Sequence, residues 1–245
     1  MNDSTVTFTK YETRGAYHWA ELAHRFPHRY SSRLHAQYDW FVDEARKRRT
    51  SLIVDVGCGD AALTYLLEQA TGARVVGIEP EPLGVELARE ALARVDSSVE
   101  VLQGRGEELP FADGEASLVV MSEVIEHARK ADPLIDEAAR VVSATGAVLL
   151  STPQWQSDDL RELHFKEYTA DELRALCAGA FEDVEVLVAE PPGLYDRYMS
   201  NPFWRVGVDV ASLLGRNPFT KRLRASSGHA GWRELFAIAS RPKVA

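Results

Sequence analysis

The sequence predicts an α/β fold with a doubly wound sheet that carries helices on both faces. Two observations predict it. From residue 51 onwards, short apolar segments of strand length alternate with segments of helix length, and a glycine-rich loop follows the first apolar segment. This alternation is typical of βαβ units, whose parallel sheet is covered on both faces. The composition agrees, since 45% of the 245 residues are hydrophobic, which is enough for a substantial core.

The elements can be taken in chain order. Predicted strands lie at 52–56, 74–78, 99–102, 117–121 and 146–151, separated by helices at about 60–70, 82–94 and 130–142. A helix at 169–179, a strand at 182–188 and a last strand at 232–241 complete the pattern. We expect one domain over 1–245, divided into an N-terminal helical cap, a core, an insertion and the final strand (1–50, 51–189, 190–230 and 231–245). A connection as long as the insertion usually builds a lid or a substrate wall.

Charge and composition limit the class of partner. The net charge of −9 argues against binding to nucleic acid, because that affinity comes largely from lysine and arginine. No apolar run approaches the roughly 18 residues of a membrane span, and the first residues do not resemble a signal peptide. Cys58 and Cys177 are the two cysteines, which suits a reducing cytoplasm and offers no cysteine metal site. We therefore expect a cytoplasmic protein with a small-molecule partner, and the oligomeric state stays open.

The loop Gly57-Cys58-Gly59 indicates a cofactor site. Glycines allow a tight turn and the close approach of a ligand, and the segment also fits the dinucleotide fingerprint G-x-G-x-x-G/A. Glu79 ends the second predicted strand, where a carboxylate can accept ribose hydroxyls. These features indicate an adenosine-containing cofactor, and leave NAD and S-adenosylmethionine as alternatives.

Asp55 bears on that choice. It ends an apolar strand, and a buried carboxylate is costly unless a partner satisfies it. The ammonium group of a methionine moiety would do so, whereas a pyrophosphate would be repelled. Local backbone amides are the other possible partner.

Four segments then resemble a known family in their order and spacing. They are VDVGCGDA, GIEP, GEELPFADGEASLVVMSEVIEH and LIDEAARVVSATGAVLLSTP. Together they resemble the class I S-adenosylmethionine-dependent methyltransferases over about residues 51–190, in the branch of ubiquinone-pathway, sugar and natural-product O-methyltransferases. The resemblance implies a seven-stranded sheet whose last strand is antiparallel, and S-adenosylmethionine as the methyl donor.

The resemblance also implies which residues bind the cofactor. Gly57, Cys58 and Gly59 would lie under its methionine and ribose parts, supported by Asp55, and Glu79 would bind the ribose hydroxyls. The remaining implied contacts are Pro80, Gly106 and Glu107 at the adenine and Met121, Ser122 and Glu123 at the methionine part. Relatives often have an acidic residue where this chain has Arg105, so adenine recognition through backbone groups is expected here.

The catalytic candidates lie in two segments, ELHFKEY around His164 and the stretch Glu123-Val124-Ile125-Glu126-His127. If that stretch is helical, Glu123 shares a face with Glu126 and His127. In one interpretation His164 is a general base for an acceptor hydroxyl and His127 is its neighbour. In a second, Glu123, Glu126, His127 and His164 hold a divalent ion such as Mg²⁺, like the similar pattern of small-RNA 2′-O-methyltransferases. In a third, these side chains have structural roles.

The favoured function is methyl transfer from S-adenosylmethionine to a hydroxyl of a small molecule or sugar. Three alternatives stay open at this point. They are a metal-dependent RNA 2′-O-methyltransferase, a nicotinamide-dependent oxidoreductase and a binding module without activity.

Overall fold

A seven-stranded mixed sheet forms the centre of the protein in the computed structural model, which describes residues 10–23, 32–155, 163–189, 201–214 and 234–243. The strands are β1 Leu52–Val56, β2 Arg74–Glu79, β3 Glu100–Gln103, β4 Ala116–Ser122, β5 Val142–Pro153, β6 Phe181–Ala189 and β7 Glu234–Pro242. Their order across the sheet is β3-β2-β1-β4-β5-β7-β6. Strands β1 to β5 pair in parallel, and β7 runs antiparallel to both β5 and β6. The predicted fold class, including the antiparallel last strand, is confirmed.

Helices cover both faces of this sheet. They are α1 Lys10–Arg14, α2 Tyr17–Leu22, α3 Ser32–Arg46, α4 Ala62–Thr71, α5 Pro82–Arg94, α6 Asp132–Val141, α7 Ala170–Ala180 and α8 Pro202–Leu213, with a 3₁₀ turn at Ile125–His127. No helix among the described residues is both long and apolar enough to cross a membrane.

Strand alternation assigns the side chains of β1 to two layers. Leu52, Val54 and Val56 belong to one apolar cluster with residues of α6 and α7. Ile53 belongs to the other, with residues of α3 and α4. Because successive side chains of a strand point to opposite faces, Asp55 lies on the α3/α4 face with Ile53.

The helix α3 is part of the core and not a loose cap. Phe41 is fully buried, and the ring centroid of Trp40 lies 4.5 Å from that of Phe236 in β7. The segment predicted as an N-terminal cap therefore completes one helical layer through α3, while α1 and α2 lie nearer the site described below.

Strand β5 begins earlier than the sequence predicts. The predicted strand starts at 146, but β5 starts at Val142, which pairs with Ala116 before a register shift along β4. A Cβ added to Gly146 would lie 2.8 Å from the carbonyl oxygen of Ser117, so glycine permits the two strands to approach here. This glycine therefore marks close packing of the two strands.

Only part of the predicted insertion falls within the described residues. It contains α8, where Phe203 is 86% exposed and Trp204 is 42% exposed. Tyr195, Tyr198 and His229, which are further candidates for an acceptor wall in the sequence, lie outside the described residues.

Candidate functional site

A cavity of about 610 Å³ opens at the carboxyl ends of β1, β2 and β4. Its position is where ligands bind in open α/β sheets, because the chain crosses to opposite faces on either side of β1. Its volume lies within the roughly 300–1,000 Å³ of small-molecule sites. Of the residues predicted for the cofactor, the cavity is lined by Asp55, Gly57, Cys58, Gly59, Glu79, Pro80, Gly106, Glu107, Ser122 and Glu123.

The glycine loop makes room for a ligand in this cavity but offers it few hydrogen-bond donors. Gly57 and Gly59 have φ angles of +69° and +59°. The amides of Gly57 and Cys58 both donate to the carbonyl oxygen of Ile78, and the amide of Gly59 donates to Glu79. These amides are therefore engaged within the protein, which disfavours a pyrophosphate cradle of the dinucleotide type.

Cys58 serves as a packing residue in this loop. Its side chain is buried, and a Cβ added to Gly77 would meet its Sγ at 2.6 Å. Burial is the first cause that raises the pKa of the Cys58 thiol well above its usual value, followed by the charges of Asp55 and Glu79. A protonated, packed thiol at this position is not a nucleophile.

Asp55 is fully buried with one unsatisfied oxygen. Its Oδ2 accepts a hydrogen bond of 2.6 Å from the Thr64 hydroxyl, while Oδ1 has no hydrogen-bond partner among the described residues. Burial raises the pKa of Asp55 to about 7, the Thr64 hydrogen bond lowers it, and the nearby Glu79 adds to the rise. The local partner is thus a hydroxyl and not the backbone amides considered from the sequence. The remaining oxygen fits a cationic group such as the ammonium of a methionine moiety.

Glu79 supports the neighbouring turn as well as lining the cavity. Its Oε2 accepts from the amide of Gly59 at 2.9 Å, and its Oε1 accepts from the amide of Glu81 at 3.0 Å. A carboxylate has about four acceptor positions, so two hydrogen bonds leave capacity for ribose hydroxyls. Burial raises the pKa of Glu79, although both amides oppose that rise.

The predicted adenine side of the site is built from a close approach and an ion pair. A Cβ on Gly106 would lie 2.6 Å from both Leu134 and Val56, so this position accepts only glycine without rearrangement. Arg105 also lines the cavity, and its guanidinium lies 3.1 Å from the Glu107 carboxylate.

Met121 does not line the cavity, contrary to the sequence prediction. Its side chain is fully buried in the apolar cluster of α6 and α7, because alternation along β4 turns it away from the face of Ser122. Ser122 and Glu123 both line the cavity as predicted.

The first two helices are fastened to the glycine loop through Asp60, which the sequence analysis did not identify. The backbone amide of His18 donates to Oδ2 of Asp60 at 2.9 Å, and its Nδ1 lies 3.1 Å from Oδ1. The indole Nε1 of Trp19 donates to the Asp60 carbonyl oxygen at 2.7 Å. Asp60 itself is fully buried. Tyr17 and His18 of α2 also line the cavity.

Tyr11 is a further cavity residue that the sequence did not reveal. It is 6% exposed, and a Cβ added to Gly59 would lie 2.6 Å from its hydroxyl oxygen. Its ring also lies close to Gly84, beside Glu79. A tyrosine in a short N-terminal helix carries no local signal of such a contact, and only the tertiary structure reveals it.

The predicted catalytic residues meet on one side of the cavity. Glu126, His127 and His164 each place one possible ligand atom within 4.8 Å of the other two. The rings of His127 and His164 pack edge to face with centroids 4.9 Å apart. His127 lines the cavity, whereas Glu126 and His164 are not among the described lining residues. His164 therefore lies behind His127, the reverse of the predicted arrangement with His164 nearest the acceptor.

Each histidine is held by its Nδ1. That of His127 lies 2.9 Å from the carbonyl oxygen of Leu163, so it must carry the proton and donate. That of His164 lies 3.2 Å from Oε1 of the buried Glu167. Burial lowers the pKa of His127 more than the Leu163 carbonyl raises it. With Nδ1 donating to Leu163, the neutral imidazole of His127 has Nε2 as its basic nitrogen.

The same three residues fit a divalent cation. Metal-bound histidines usually donate their second ring nitrogen to a carboxylate or a backbone carbonyl, as His164 and His127 do here. The Oε2 of Glu126 accepts from the Thr152 hydroxyl at 3.0 Å, but Oε1 has no partner among the described residues. Burial, and then the charge of Glu123, raises the pKa of Glu126 to about 8.

Glu123, the fourth predicted metal ligand, is directed elsewhere. The 3₁₀ turn begins only at Ile125, and Glu123 has a φ of +55°, so the helical face that was to unite it with Glu126 and His127 does not form. Its carboxylate instead accepts a hydrogen bond from Arg33 of α3.

Comparison with known proteins places these observations in a family context. Residues 54–150 match the model of a methyltransferase domain. A probable S-adenosylmethionine-dependent methyltransferase of Mycobacterium tuberculosis is 30% identical over 139 residues, which are 54% of this chain and 49% of that protein. A ubiquinone biosynthesis O-methyltransferase of Dechloromonas aromatica is 33% identical over 144 residues, 55% of this chain and 60% of that protein. The chain thus spans about half the length of the first relatives that it matches.

Solved structures share the fold at low sequence identity. A methyltransferase of Thermotoga maritima, described as a possible histamine N-methyltransferase, aligns with a TM-score of 0.62 at 15% identity, over 96% of this chain and 98% of that one. A phosphoethanolamine N-methyltransferase of Haemonchus contortus has a TM-score of 0.65 at 14% identity, over 96% and 58%. These likenesses concern the fold alone. None of these relatives supports the RNA methyltransferase, oxidoreductase or binding-module alternatives.

Proposed function

We propose that this chain, whose residues 54–150 form a methyltransferase domain with S-adenosylmethionine-dependent relatives, transfers a methyl group to a hydroxyl of a small molecule or sugar. The observation that carries the proposal is the neutral imidazole of His127 at the cavity wall, a few residues along the chain from Ser122 and Glu123. A hydroxyl nucleophile must lose a proton during methyl transfer, so a nearby base is what this chemistry needs.

The cavity residues support a bound methyl donor. The unsatisfied Oδ1 of Asp55 would accept the donor's ammonium group, and the remaining acceptor positions of Glu79 would take its ribose hydroxyls. Pro80, Gly106 and Glu107 would flank the adenine, and Gly57, Gly59 and Ser122 would leave room for the methionine part. When bound, S-adenosylmethionine supplies a methyl group on a positively charged sulfur.

His127 would act on the acceptor. The Leu163 carbonyl fixes its Nδ1–H, so Nε2 is the ring nitrogen that would receive the proton as the acceptor oxygen forms its new bond to carbon. His164 packs against this ring, and Glu167 fixes its orientation. In this assignment His127 is the base and His164 is a positioning residue.

A second way to activate the hydroxyl is a divalent ion held by Glu126, His127 and His164. The unsatisfied Oε1 of Glu126 and the carbonyl and carboxylate behind the two histidines favour it. Such an ion would lower the pKa of a bound hydroxyl. If a divalent ion activates the hydroxyl, chelation with EDTA abolishes turnover and added Mg²⁺ or Mn²⁺ restores it. If His127 acts as a base without a metal ion, neither treatment changes turnover.

The experiment that tests the function uses S-adenosylmethionine with a labelled methyl group and a panel of catechols, sugars and matched amines. We expect label on oxygen. We expect His127→Ala to lower turnover at least ~100-fold, since general-base catalysis typically contributes about 10²–10⁴, while the affinity for S-adenosylhomocysteine is unchanged. Lys130→Ala, at the exposed rim of the same cavity, is the matched control and should retain turnover.

Two results would contradict the proposal. One is label transferred only to the amines, which need no strong base at this wall. The other is a His127→Ala variant with full turnover at neutral pH.

A further inference from the structure

Arg33 is a cation that joins two carboxylates from distant parts of the chain. Its Nη2 donates to Oε1 of Glu123 at the end of β4 and, at 2.5 Å, to Oε2 of Glu234 at the start of β7. Burial lowers the pKa of Arg33, but the charges of Glu234 and Glu123 outweigh it and raise that pKa. The guanidinium therefore stays charged at every pH at which the protein is folded.

Glu123 lies beside the cluster of Glu126, His127 and His164 without joining it. The amide of Glu123 donates to the carbonyl oxygen of Ser151 at 3.1 Å, and the Glu126 carboxylate accepts from the next residue of β5, Thr152, at 3.0 Å. Two neighbouring residues of one strand thus bind the two glutamates. Distance is therefore not what keeps the Glu123 carboxylate out of the cluster.

The conformation of Glu123 shows that its surroundings hold it in place. Its φ of +55° is rare for a residue with a side chain, and such conformations persist only where the surroundings enforce them. Meanwhile the fully buried Oε1 of Glu126 has no hydrogen-bond partner among the described residues, so the cluster retains an unused carboxylate oxygen.

We infer that Arg33 holds Glu123 away from the cluster of Glu126, His127 and His164 and thereby weakens the binding of divalent cations there. Two effects act together. The ion pair removes a fourth oxygen ligand, and the positive charge of the guanidinium opposes a second cation nearby. The cluster is left as a three-residue site of low affinity whose strength Arg33 controls.

The test is a Mn²⁺ titration of the whole protein, followed by the electron paramagnetic resonance signal of free Mn²⁺. We expect weak binding by the native protein and at least ~10-fold tighter binding by Arg33→Met, since partners outside the ligand shell typically change metal affinity about 10–100-fold. Arg33→Lys keeps the charge and should behave as the native protein does. The double variant Arg33→Met/Glu123→Gln should lose the part of the gain that comes from the Glu123 carboxylate as a fourth ligand.

A further variant keeps the inference testable if Arg33→Met does not fold. In the native background, Glu123→Gln should not tighten Mn²⁺ binding and should weaken it to some extent, because it leaves the charge of Arg33 less compensated. Tighter Mn²⁺ binding by that variant would overturn the inference. So would a folded Arg33→Met protein that binds Mn²⁺ no better than the native one, or not at all. Because the readout is cation binding, failure here is distinct from failure of the proposed methyl transfer.

Discussion

Gly57 combines a positive φ with a close contact, and the two costs of replacing it can be separated. Its φ is +69°, and an added Cβ would lie 2.7 Å from Val124. Gly72, at the end of α4, has nearly the same φ of +67° but nothing within 4 Å of an added Cβ. We expect Gly72→Ala to lose about 1–3 kcal/mol of unfolding free energy from backbone strain. Gly57→Ala should lose about 1–3 kcal/mol more from overpacking.

Urea unfolding of the two variants measures this difference. Equal losses of unfolding free energy in the two variants would show that the Val124 side chain can move aside at no energetic cost, so that the contact at Gly57 does not matter for stability. The same comparison can be extended to Gly59, where the obstacle is the Tyr11 hydroxyl at 2.6 Å. There Tyr11→Phe should partly rescue Gly59→Ala.

Asp55 makes a testable contribution to the pH dependence of stability. Its pKa is raised from 3.8 to about 7 in the folded, ligand-free protein. The folded state therefore keeps a proton that the unfolded state releases, so the contribution is complete below about pH 4 and is lost as pH rises towards 7. At about 1.4 kcal/mol for each unit of pKa difference, the loss approaches 4 kcal/mol as an order of magnitude.

The measurement compares urea unfolding of the native protein and Asp55→Asn at pH 5 and pH 8. Other buried carboxyls act in the same direction in both proteins, so the difference between them isolates Asp55. We expect Asp55→Asn to lose less stability between the two pH values than the native protein does. An identical decline in both would mean that Asp55 is ionised in the folded protein.

Some single residues could be assigned from the sequence and others could not. Asp55 lies near the end of β1, just before the glycine loop, and Glu79 ends β2, and these positions predicted that both line the site. Asp60 and Arg33 were missed because their partners are remote in the chain. His18 is 42 residues from Asp60, and Glu234 is 201 residues from Arg33.

The helices α1 and α2 form an element that Asp60 attaches to the glycine loop, in addition to the packing of Trp19 and Leu22 on the core. The contacts of Asp60 to His18 and Trp19 fasten this element to the glycine loop, and Tyr11 and Tyr17 then cover the cavity. We expect Asp60→Ala to increase hydrogen exchange of 10–23 while the amides of β1 and β4 stay protected. The dissociation of S-adenosylhomocysteine should become faster, because its cover is released.

The matched control for this element is Asp43→Ala, an exposed carboxylate of α3 that pairs only with Arg46 on the same helix among the described contacts. It should change neither exchange nor dissociation. If Asp60→Ala left exchange of 10–23 at the native level, the first helices would be held by their apolar contacts and not by Asp60.

Element boundaries show what local pattern can and cannot predict. The predicted strand at 52–56 coincides with β1, because a short apolar run before two glycines has clear limits. The start of β5 was missed because Ser143, Ala144 and Thr145 are neither strongly apolar nor alternating, and their strand conformation depends on pairing across a register shift. The 3₁₀ turn at Ile125–His127 could likewise not be predicted from the local pattern, since the positive φ of Glu123 depends on its tertiary contacts.

At the scale of the whole molecule, the alternation of strand and helix segments in the sequence was sufficient to predict the sheet but not the cavity wall. Alternating strands and helices predicted a parallel sheet, and the family resemblance added the antiparallel β7. The arrangement of His127 before His164 arises from the packing of two loops, which no local pattern specifies. The acceptor wall is still a prediction, since most of 190–233 lies outside the described residues.

Calorimetric titration of the purified protein with S-adenosylmethionine, S-adenosylhomocysteine and NADH tests most directly whether the cavity binds a methyl donor. We expect micromolar binding of the first two and no binding of NADH. We also expect both of the first two ligands to lose affinity in Asp55→Asn, whose side chain no longer offers a carboxylate to the ammonium group. Heat with NADH alone, or affinity for S-adenosylmethionine unchanged in Asp55→Asn, would contradict these expectations.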